Sequence, residues 1–416
     1  MRRAWVMVCM IGCAAGLLQA QSVTIEVAAG DHDRVNTPIV FDLPSALAEA
    51  EHVKLERADT GIPIDAQIDR IEGDDVPKVV FLLGQKLEAG TTRRYVLSAS
   101  DEAPAGNVYH GTVEVERDAE SIRVAANRLP VLEYHIAALL SPEPSEPYYR
   151  RSGQIHPLHA PSGAVVTDDF PPDHYHQHGV MFAWTKTTFQ GRAIDFWNQK
   201  KLQGTVEHNR VIGAESGPVF GRFEVGLRHV NLNAPNGPAD VLDEIWSVRV
   251  YNFTDVFVMD LISVQRAVRN PLQVNQYHYG GMAIRGARSW LNPPCRMLTR
   301  LGDDRSAGNH TRPGWVDMQG PVDVADHAPD AGPASIAGVT VMDHPDNVRF
   351  PQPVRLHPDK PYFCFSPQVL GGFDITANVP YISRYRFVTR DGELDRTRLD
   401  ALWQNWTDPP TVRVVK

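Results

Sequence analysis

The chain has 416 residues, a formal net charge of −9 at neutral pH, 43% hydrophobic residues and 8% aromatic residues. This length allows two or three domains with sizeable cores, and the composition excludes an intrinsically disordered chain. The acidic balance, without a cluster of lysines and arginines, argues against binding to nucleic acid or to an anionic membrane surface, and it favours a small or neutral ligand.

Residues 1–20 have the pattern of a secretory signal peptide. Arg2 and Arg3 precede an apolar run, and the small residue Ala20 offers a cleavage site. We therefore expect export to the periplasm or to the extracellular space. A second interpretation makes Cys13 the acylated residue of a lipoprotein. No later segment has the ~20 consecutive apolar residues that a membrane-spanning helix requires.

Short alternating segments follow the leader. Val23, Ile25 and Val27 alternate with polar residues, and further apolar runs separated by turn residues continue to Leu97. A polar segment with Pro and Gly then has the composition of a linker. This pattern predicts a small N-terminal β sandwich at residues 21–103 and a second domain at residues 104–416.

The second domain is predicted to be a large antiparallel β supersandwich. Strand patterns recur from Val108 onwards, and residues 256–264 are almost continuously apolar, as expected of a strand whose two faces are both covered. A short amphipathic helix follows Asp395, a candidate N-cap. Its apolar residues recur with helical spacing at Leu399, Leu402, Trp403 and Trp406. The predicted fold class is all-β with a short C-terminal helix.

Residues 156–184 contain the densest candidate site. Their histidines, acidic residues and double proline are a composition that neither a core strand nor a core helix requires. If the segment is extended, His174, His176 and His178 leave the same face, where they could bind a divalent metal ion or act as a general acid/base cluster. Three acidic residues could orient the rings through their second nitrogens or serve as ligands themselves: Asp168, Asp169 and Asp173.

Residues 301–335 are irregular, acidic and rich in Gly and Pro. Long segments without periodicity are uncommon unless they form lids or flexible insertions, so we expect a lid that carries Trp315 and Asp317 over the site, with an unstructured edge segment as the alternative. Outside the leader, Cys295 and Cys364 could form one disulfide in an oxidising compartment.

Several motifs of the second domain keep a common order. The His-rich segment is followed by IDFWNQ from Ile194, Tyr279 to Gly281 with Arg285, GWVDMQG from Gly314 and DHPDNVRFPQPV from Asp343. Over roughly residues 145–416 the chain resembles the secreted bacterial PmoA-like family, also labelled methane oxygenase PmoA, a domain of unknown function. The family has Pro and His where this chain has Tyr175 and Gln177. Methane oxidation in a membrane would require several apolar spans, so the resemblance does not imply that activity.

The strand-rich length and motif order also resemble the galactose mutarotase-like carbohydrate enzymes. This resemblance implies a concave sheet face that collects four candidate catalytic residues: His174, His176, His278 and Asp317. Arg285 could bind a uronate carboxylate through two nitrogens. Three aromatic rings could stack on a sugar: Trp184, Trp197 and Trp315.

The leading hypothesis is a secreted carbohydrate-active enzyme that acts on a small-molecule or oligosaccharide ligand by mutarotase-, epimerase-, lyase- or hydrolase-type acid/base chemistry. A glycan-binding protein without catalysis and a His-ligated metal oxidoreductase are the alternatives. A His–acid pair in a concave pocket would favour the enzyme, an aromatic groove without such a pair would favour the binder, and three imidazole nitrogens around one point would favour the metal.

Overall fold

The computed structural model describes residues 22–70, 76–103, 111–292, 294–322 and 336–415. The predicted signal peptide lies outside these ranges. Antiparallel strands, numbered β1 to β28 in chain order, form almost all of the regular structure, so the predicted all-β class is confirmed. No helix of the described ranges has the length and apolar character needed to cross a membrane.

The small sandwich consists of a five-stranded and a three-stranded sheet. The first has the order β28 (Thr411–Val415), β1 (Ser22–Ala28), β7 (Thr92–Ser100), β3 (His52–Arg57) and β4 (Pro63–Ile64). The second has the order β2 (Thr37–Asp42), β6 (Lys78–Leu83) and β5 (Ala66–Asp69). Because β28 pairs antiparallel with β1, the last strand of the chain completes the first sheet. The small sandwich is therefore built from both ends of the chain, whereas the predicted boundary assigns it one continuous segment.

Two eight-stranded sheets form the large sandwich. The front sheet has the order β24 (Val354–Leu356), β25 (Tyr362–Phe365), β20 (Gly281–Arg285), β12 (Val180–Ala183), β11 (Ile155–Leu158), β10 (Leu129–His135), β9 (Ser121–Ala126) and β8 (Val113–Arg117). The back sheet has the order β15 (Gly204–Glu215), β16 (Phe220–Asn231), β17 (Ala239–Tyr251), β18 (Phe257–Ala267), β27 (Tyr381–Asp391), β23 (Ile336–Asp343), β22 (Trp315–Pro321) and β21 (Arg296–Thr299).

Alternation along the strands decides which side chains enter the core between these sheets. Met282 of β20 pairs with Phe365 of β25, whose ring lies 5.3 Å from that of Tyr385 on the back sheet. Since successive residues of a strand point to opposite faces, Ala283 and Arg285 lie on the other face of the front sheet, away from the back sheet. We call this the outer face of the front sheet.

A four-stranded sheet extends the large sandwich, with the order β14 (Arg192–Ile194), β13 (Thr187–Phe189), β19 (Leu272–Val274) and β26 (Phe373–Ile375). The helix α1 spans Arg396–Thr407, and the Asp395 side chain accepts a hydrogen bond from the backbone N–H of Arg398, which confirms the predicted N-cap. Short 3₁₀ turns occur at Ser45–Leu47, Pro147–Tyr149, Gln199–Lys201, Arg288–Leu291 and Pro367–Leu370.

A separate hydrophobic cluster joins the small sandwich, the back sheet and α1. It contains Val80 of β6, Phe220 of β16 and Leu399 of α1. Arg34 of the small sandwich is 1% exposed and donates to the backbone carbonyl of Asp408, just after α1, at 2.6 Å. The two sandwiches therefore share a packed interface.

Two predictions about the second domain are wrong. Trp315 and Asp317 lie in β22, an interior strand of the back sheet, so they are not part of a lid. The sequence conceals this strand because both of its faces are buried, which removes the alternation of polar and apolar residues. Residues 323–335, the rest of the predicted lid, lie outside the described ranges. Cys295 and Cys364 are buried free thiols and form no disulfide.

Candidate functional site

The histidine segment between β11 and β12 does not form the extended strand on which its alternation was interpreted. Residues 171–178 make two consecutive turns, in which the N–H of His174 donates to the carbonyl of Pro171 and that of Gln177 donates to the carbonyl of His174, both at 2.8 Å. Pro171 and Pro172 explain the turns, since proline disrupts both ladders and helices. The segment therefore does not place the three imidazoles along one face of an extended strand.

Metal binding by His174, His176 and His178 was predicted from that extended geometry. Within the described ranges, no group of three His, Cys, Asp or Glu side chains is placed to hold a metal ion. His178 has turned inward, where it is 0% exposed, and its Nδ1 is engaged by Asp169 at 2.5 Å. The chain therefore does not offer the predicted triad as a preformed metal site.

The Asp173 carboxylate holds His174 and is itself held from below by Arg285. His174 Nδ1 donates to Asp173 Oδ2 at 2.9 Å, and the Arg285 guanidinium donates to both carboxylate oxygens at 2.8 and 3.1 Å. Burial alone would raise the pKa of Asp173, but the hydrogen bonds from Arg285 and His174 outweigh it and lower that pKa to about 2. Asp173 is therefore an anion at neutral pH, and it fixes the tautomer of His174 with Nε2 free of the proton.

Two further imidazoles surround His174. The rings of His176 and His357 lie 5.4 and 5.8 Å from the His174 ring, respectively. Burial, with a smaller contribution from His174, lowers the pKa of His176 to about 3. Burial, followed by the charge of Arg355, lowers the pKa of His357 to about 4. Both rings are therefore neutral at physiological pH and can each donate and accept one hydrogen bond.

We call the set of Asp173, His174, His176, Arg285, His357 and Lys360 the histidine cluster. Lys360 Nζ lies 3.9 Å from Asp173 Oδ2. The side chains of His174 and Lys360 are each 30% exposed and that of Asp173 is 20% exposed, whereas Arg285 is fully buried. The cluster thus has an accessible rim over a rigid, buried anchor.

A second His–acid pair lies beneath this rim. Burial lowers the pKa of His178, and the neighbouring imidazole lowers the pKa of Asp169 against the effect of its own burial. Gln154 donates to the other Asp169 oxygen at 3.2 Å. His178 therefore acts as a buried support, and it has no exposed surface with which to touch a ligand.

Aromatic rings continue from the cluster along the outer face of the front sheet. The His357 ring lies 6.0 Å from Tyr362, which lies 5.7 Å from Trp197, and Trp197 lies 5.6 Å from Tyr279. Tyr277 follows at 5.1 Å from Tyr279. Trp197 and Tyr362 are buried, whereas Tyr277 and Tyr279 are half-buried. The tyrosines therefore offer the accessible ring faces of this row.

The Tyr-Gly-Gly motif turns the chain from these tyrosines into β20. Gly281 has a φ of +104°, and a Cβ atom there would lie 2.4 Å from the carbonyl oxygen of Phe365. Only glycine tolerates both the left-handed backbone and this contact. The motif thus has a structural role, which is to bring Tyr279 and Arg285 onto one face.

His278 lies at the far end of the aromatic row and is exposed. Its backbone carbonyl accepts a hydrogen bond from His310 at 3.1 Å. The Arg355 charge lowers the pKa of His278, as it does that of His357, with burial the larger cause in both. The charge of Arg355 therefore acts on both histidines.

The remaining predicted residues are not brought to this site. Asp317 is 1% exposed in the back sheet, where Arg390 donates to it at 2.6 and 3.1 Å and Thr340 at 2.6 Å. Trp184 and Trp315 are 0% exposed, and their indole nitrogens donate to Gln265 and Asp400. Buried rings present no face to a sugar, and the same holds for Trp197, which is 2% exposed.

The structure also adds residues that the sequence analysis missed: His357, Lys360, Arg355, Tyr277 and Tyr279. Arg355, His357 and Lys360 come from β24 and the loop that follows it, whereas Tyr277 and Tyr279 come from the segment before β20. All five lie far from the histidine segment in the sequence, so no local spacing could reveal them. The one available signal was the Tyr-Gly-Gly motif itself, which begins with Tyr279 and lies two residues after Tyr277. Arg285, predicted to bind a uronate, instead uses its guanidinium to hold Asp173 and Gln177.

A protein-family model described as a family of unknown function, DUF6807, matches residues 121–404. This match gives no support to the predicted PmoA label. No curated protein matches the chain.

Solved structures that match the chain include a protein in the glycosyl hydrolase family 38 from Enterococcus faecalis, with 8% identity, a TM-score of 0.44, and coverage of 95% of this chain and 48% of that one. An alpha-mannosidase from Enterococcus faecalis has 9% identity, a TM-score of 0.39, and coverage of 95% and 46%. A galactose mutarotase-like protein from Lactobacillus casei has 8% identity, a TM-score of 0.26, and coverage of 67% and 100%. The chain thus spans about half the length of the first two.

Proposed function

Since the chain belongs to DUF6807, a family of unknown function, its activity has to be inferred from its own residues, and we propose that it is an exported carbohydrate-active enzyme whose histidine cluster performs acid/base chemistry on a saccharide. Export is supported by the sequence of residues 1–20. The catalytic part of the proposal depends on the Asp173–His174 pair.

This pair has the arrangement of a general base with its orienting carboxylate. Asp173 accepts a hydrogen bond from the Nδ1–H of His174, so the lone pair of Nε2 is available to take a proton from a substrate hydroxyl or from a carbon acid. After that transfer the imidazolium is stabilised by the adjacent carboxylate, and Nε2–H can return the proton to a ring or leaving-group oxygen. The 30% exposure of the His174 side chain leaves it within reach of a ligand.

The neighbours of His174 suit hydroxyl-rich ligands. His176 and His357 are held neutral, so each can donate a hydrogen bond to one sugar oxygen or accept one from a sugar hydroxyl. Tyr277 and Tyr279 supply half-buried rings for the apolar C–H face of a pyranose, and the Tyr279 hydroxyl is linked to Asn198 at 3.0 Å. Together these groups match the mixed polar and apolar surface of a saccharide.

The proposal covers mutarotation, epimerisation, elimination and hydrolysis, since each requires a positioned base that can return its proton. A glycan-binding protein without catalysis is the second candidate. The row formed by Tyr277 and Tyr279, with the Lys186 ammonium 5.5 Å from the Tyr277 ring centre, favours it because stacking platforms are sufficient for binding.

Proton NMR of the purified protein with anomerically pure monosaccharides, uronates and oligosaccharides tests this proposal. The enzyme is expected to accelerate a change in the anomeric or olefinic signals of at least one compound, and His174→Gln should reduce that rate by about 100-fold. His52→Gln in β3 of the small sandwich is the matched control and should keep the wild-type rate. Saturable binding without any accelerated change would establish the glycan-binding alternative, and the absence of both would refute the saccharide assignment.

A further inference from the structure

Arg355 and His357 lie on the same face of the front sheet as the histidine cluster. Arg355 of β24 pairs with Cys364 of β25, which in turn pairs with Ala283 on the outer face. The backbone N–H of His357 donates to the carbonyl of Tyr362 at 3.0 Å, so the strand pairing continues to this residue. Because residues two apart in a strand lie on one face, His357 follows Arg355 onto the outer face.

The loop after β24 fixes the tautomer of His357. The backbone N–H groups of Asp359 and Lys360 donate to its Nδ1 at 3.2 and 3.1 Å, so the neutral ring has its proton on Nε2. The Arg305 guanidinium holds this loop by donating to the carbonyls of His357 and Lys360, both at 2.8 Å. The half-buried His357 therefore presents one fixed donor, Nε2–H, to a ligand.

The positive charge of Arg355 is not neutralised by an acidic side chain. Within the described ranges its hydrogen bonds go to uncharged oxygens, the Oδ1 of Asn309 at 3.1 Å and the carbonyl of the next residue at 3.2 Å, and both come from Nη1. Lys360 has a contact of 3.9 Å with Asp173, but that carboxylate already accepts two hydrogen bonds from Arg285. Arg355 and Lys360 therefore retain donors for a further anion.

Positive charge continues along the aromatic row. Lys186 Nζ lies 5.5 Å from the centre of the Tyr277 ring. After burial, which is the largest cause, the pKa of His278 is lowered by the charges of Arg355, His310 and Lys186. All three of these neighbours are cationic groups, so the end of the row has a positive potential although the whole chain has a net charge of −9.

The acidic side chains nearest to this surface do not cancel that potential. Asp195 is buried and accepts a hydrogen bond from Lys201 at 2.7 Å. Asp359 is exposed, and its effect on the pKa of His357 is smaller than that of Arg355. The ligand-facing groups are thus mostly donors, and their natural complement is an anion that only accepts hydrogen bonds.

We propose that the saccharide bound at the histidine cluster is acidic, and that Arg355, Lys360 and the Nε2–H of His357 bind the carboxylate or sulfate group of one sugar unit. This inference rests on the proposed function, because it names the class of saccharide for the same site. Arg285 is not the anion-binding residue, since its guanidinium is occupied by Asp173 and Gln177.

Affinity gel electrophoresis of the full chain tests the inference with paired polysaccharides. Polygalacturonate and alginate are compared with their methyl esters, and carrageenan and fucoidan with their desulfated forms. At least one acidic polymer should retard the protein, and its neutralised form should not. Loss of retardation on esterification identifies a carboxylate, and loss on desulfation identifies a sulfate ester. Equal retardation by both forms, or no retardation by any acidic polymer, would overturn the inference.

The proton NMR assay separates this inference from the proposed function. Accelerated change in neutral saccharides alone would keep the proposed function and refute an acidic substrate. An accelerated change confined to acidic saccharides would support both. No accelerated change in any compound, together with retardation by an acidic polymer, would refute the enzyme and keep the anion site.

Variants of the two cations locate the site. Arg355→Gln and Lys360→Gln should each raise the dissociation constant for the retarding polymer about tenfold, as expected for a lost charge-assisted hydrogen bond. Lys54→Gln, at an exposed position of β3 in the small sandwich, removes the same charge and should leave binding unchanged. Lys360 is partly exposed, so its variant keeps the test valid if Arg355→Gln lowers the thermal midpoint. Wild-type affinity in Lys360→Gln and in a folded Arg355→Gln would contradict the assignment.

Discussion

The Nδ1 atom of His174 lies 2.9 Å from Oδ2 of Asp173, and the same carboxylate receives two hydrogen bonds from the fully buried Arg285. This connection links an accessible imidazole to an anchor inside the front sheet. Arg285 holds Asp173, and Asp173 in turn holds His174. The turn segment can therefore keep the His174 imidazole in one orientation although it has no regular secondary structure.

Arg285→Met should lower the free energy of unfolding by about 3 kcal/mol, because it leaves the Asp173 carboxylate and Gln177 without their buried partner. Chemical denaturation measures the change. The matched control is Arg288→Met, whose guanidinium is 58% exposed and pairs with Asp168, and its cost should stay below about 1 kcal/mol. Equal costs for the two variants would show that Arg285 is not an anchor.

Acidification should destabilise the protein through His176 and His357. Their pKa values fall from 6.5 to about 3 and about 4 on folding. Between those values and pH 6.5 the unfolded chain binds more protons than the folded one, so stability decreases as the pH falls, by at most about 1.4 kcal/mol per pH unit for each ring.

Asp343 acts in the opposite direction over part of this window, because burial raises its pKa to about 7. The test is therefore differential and compares urea denaturation of the wild type with that of a His176→Asn/His357→Asn double variant at pH 7 and pH 5. The double variant should lose less stability between these pH values. A parallel loss in both proteins would show that the two rings do not titrate in this way.

Tyr277→Ala should weaken binding of a recognised saccharide by about fivefold with little effect on folding, because its half-buried ring provides a stacking face. Isothermal titration and a thermal melt separate the two effects. Trp184→Phe is the converse control, since Trp184 is buried between the sheets and its indole donates to Gln265 at 2.7 Å. That variant should lose stability and retain binding, and a reversed pattern would place the ligand elsewhere.

The sequence was informative where structure depends on near neighbours. Asp395 and the apolar spacing of Leu399 and Leu402 predict α1 correctly, because capping and amphipathicity are local. The orientation of His174 by Asp173 and of His178 by Asp169 follows the predicted use of second ring nitrogens. The double proline correctly indicated a loop. The alternation of the histidines predicted an extended chain, but the segment forms two turns instead.

Long-range contacts were beyond sequence reasoning. The ring of His357 meets that of His174 only because β24 and β25 lie beside β20, and this strand order leaves no trace in spacing. Arg285 was expected to bind a substrate because a lone arginine in a motif does not disclose its partner. Trp184 and Trp315 were expected to be accessible. A tryptophan in a strand that is buried on both faces has the same local sequence pattern as a tryptophan on a binding surface.

The most direct test of the account is the pH dependence of turnover, measured by proton NMR on the best saccharide, for wild type, Asp173→Asn and His174→Gln. If His174 is the base, the wild-type rate should rise with pH and then level off, as expected of a base that acts in its unprotonated form. Asp173→Asn should turn over more slowly, because His174 loses its carboxylate, and His174→Gln should lose both about 100-fold in rate and the pH dependence. A His174→Gln protein with the wild-type rate and profile would contradict the assignment of His174 as the base.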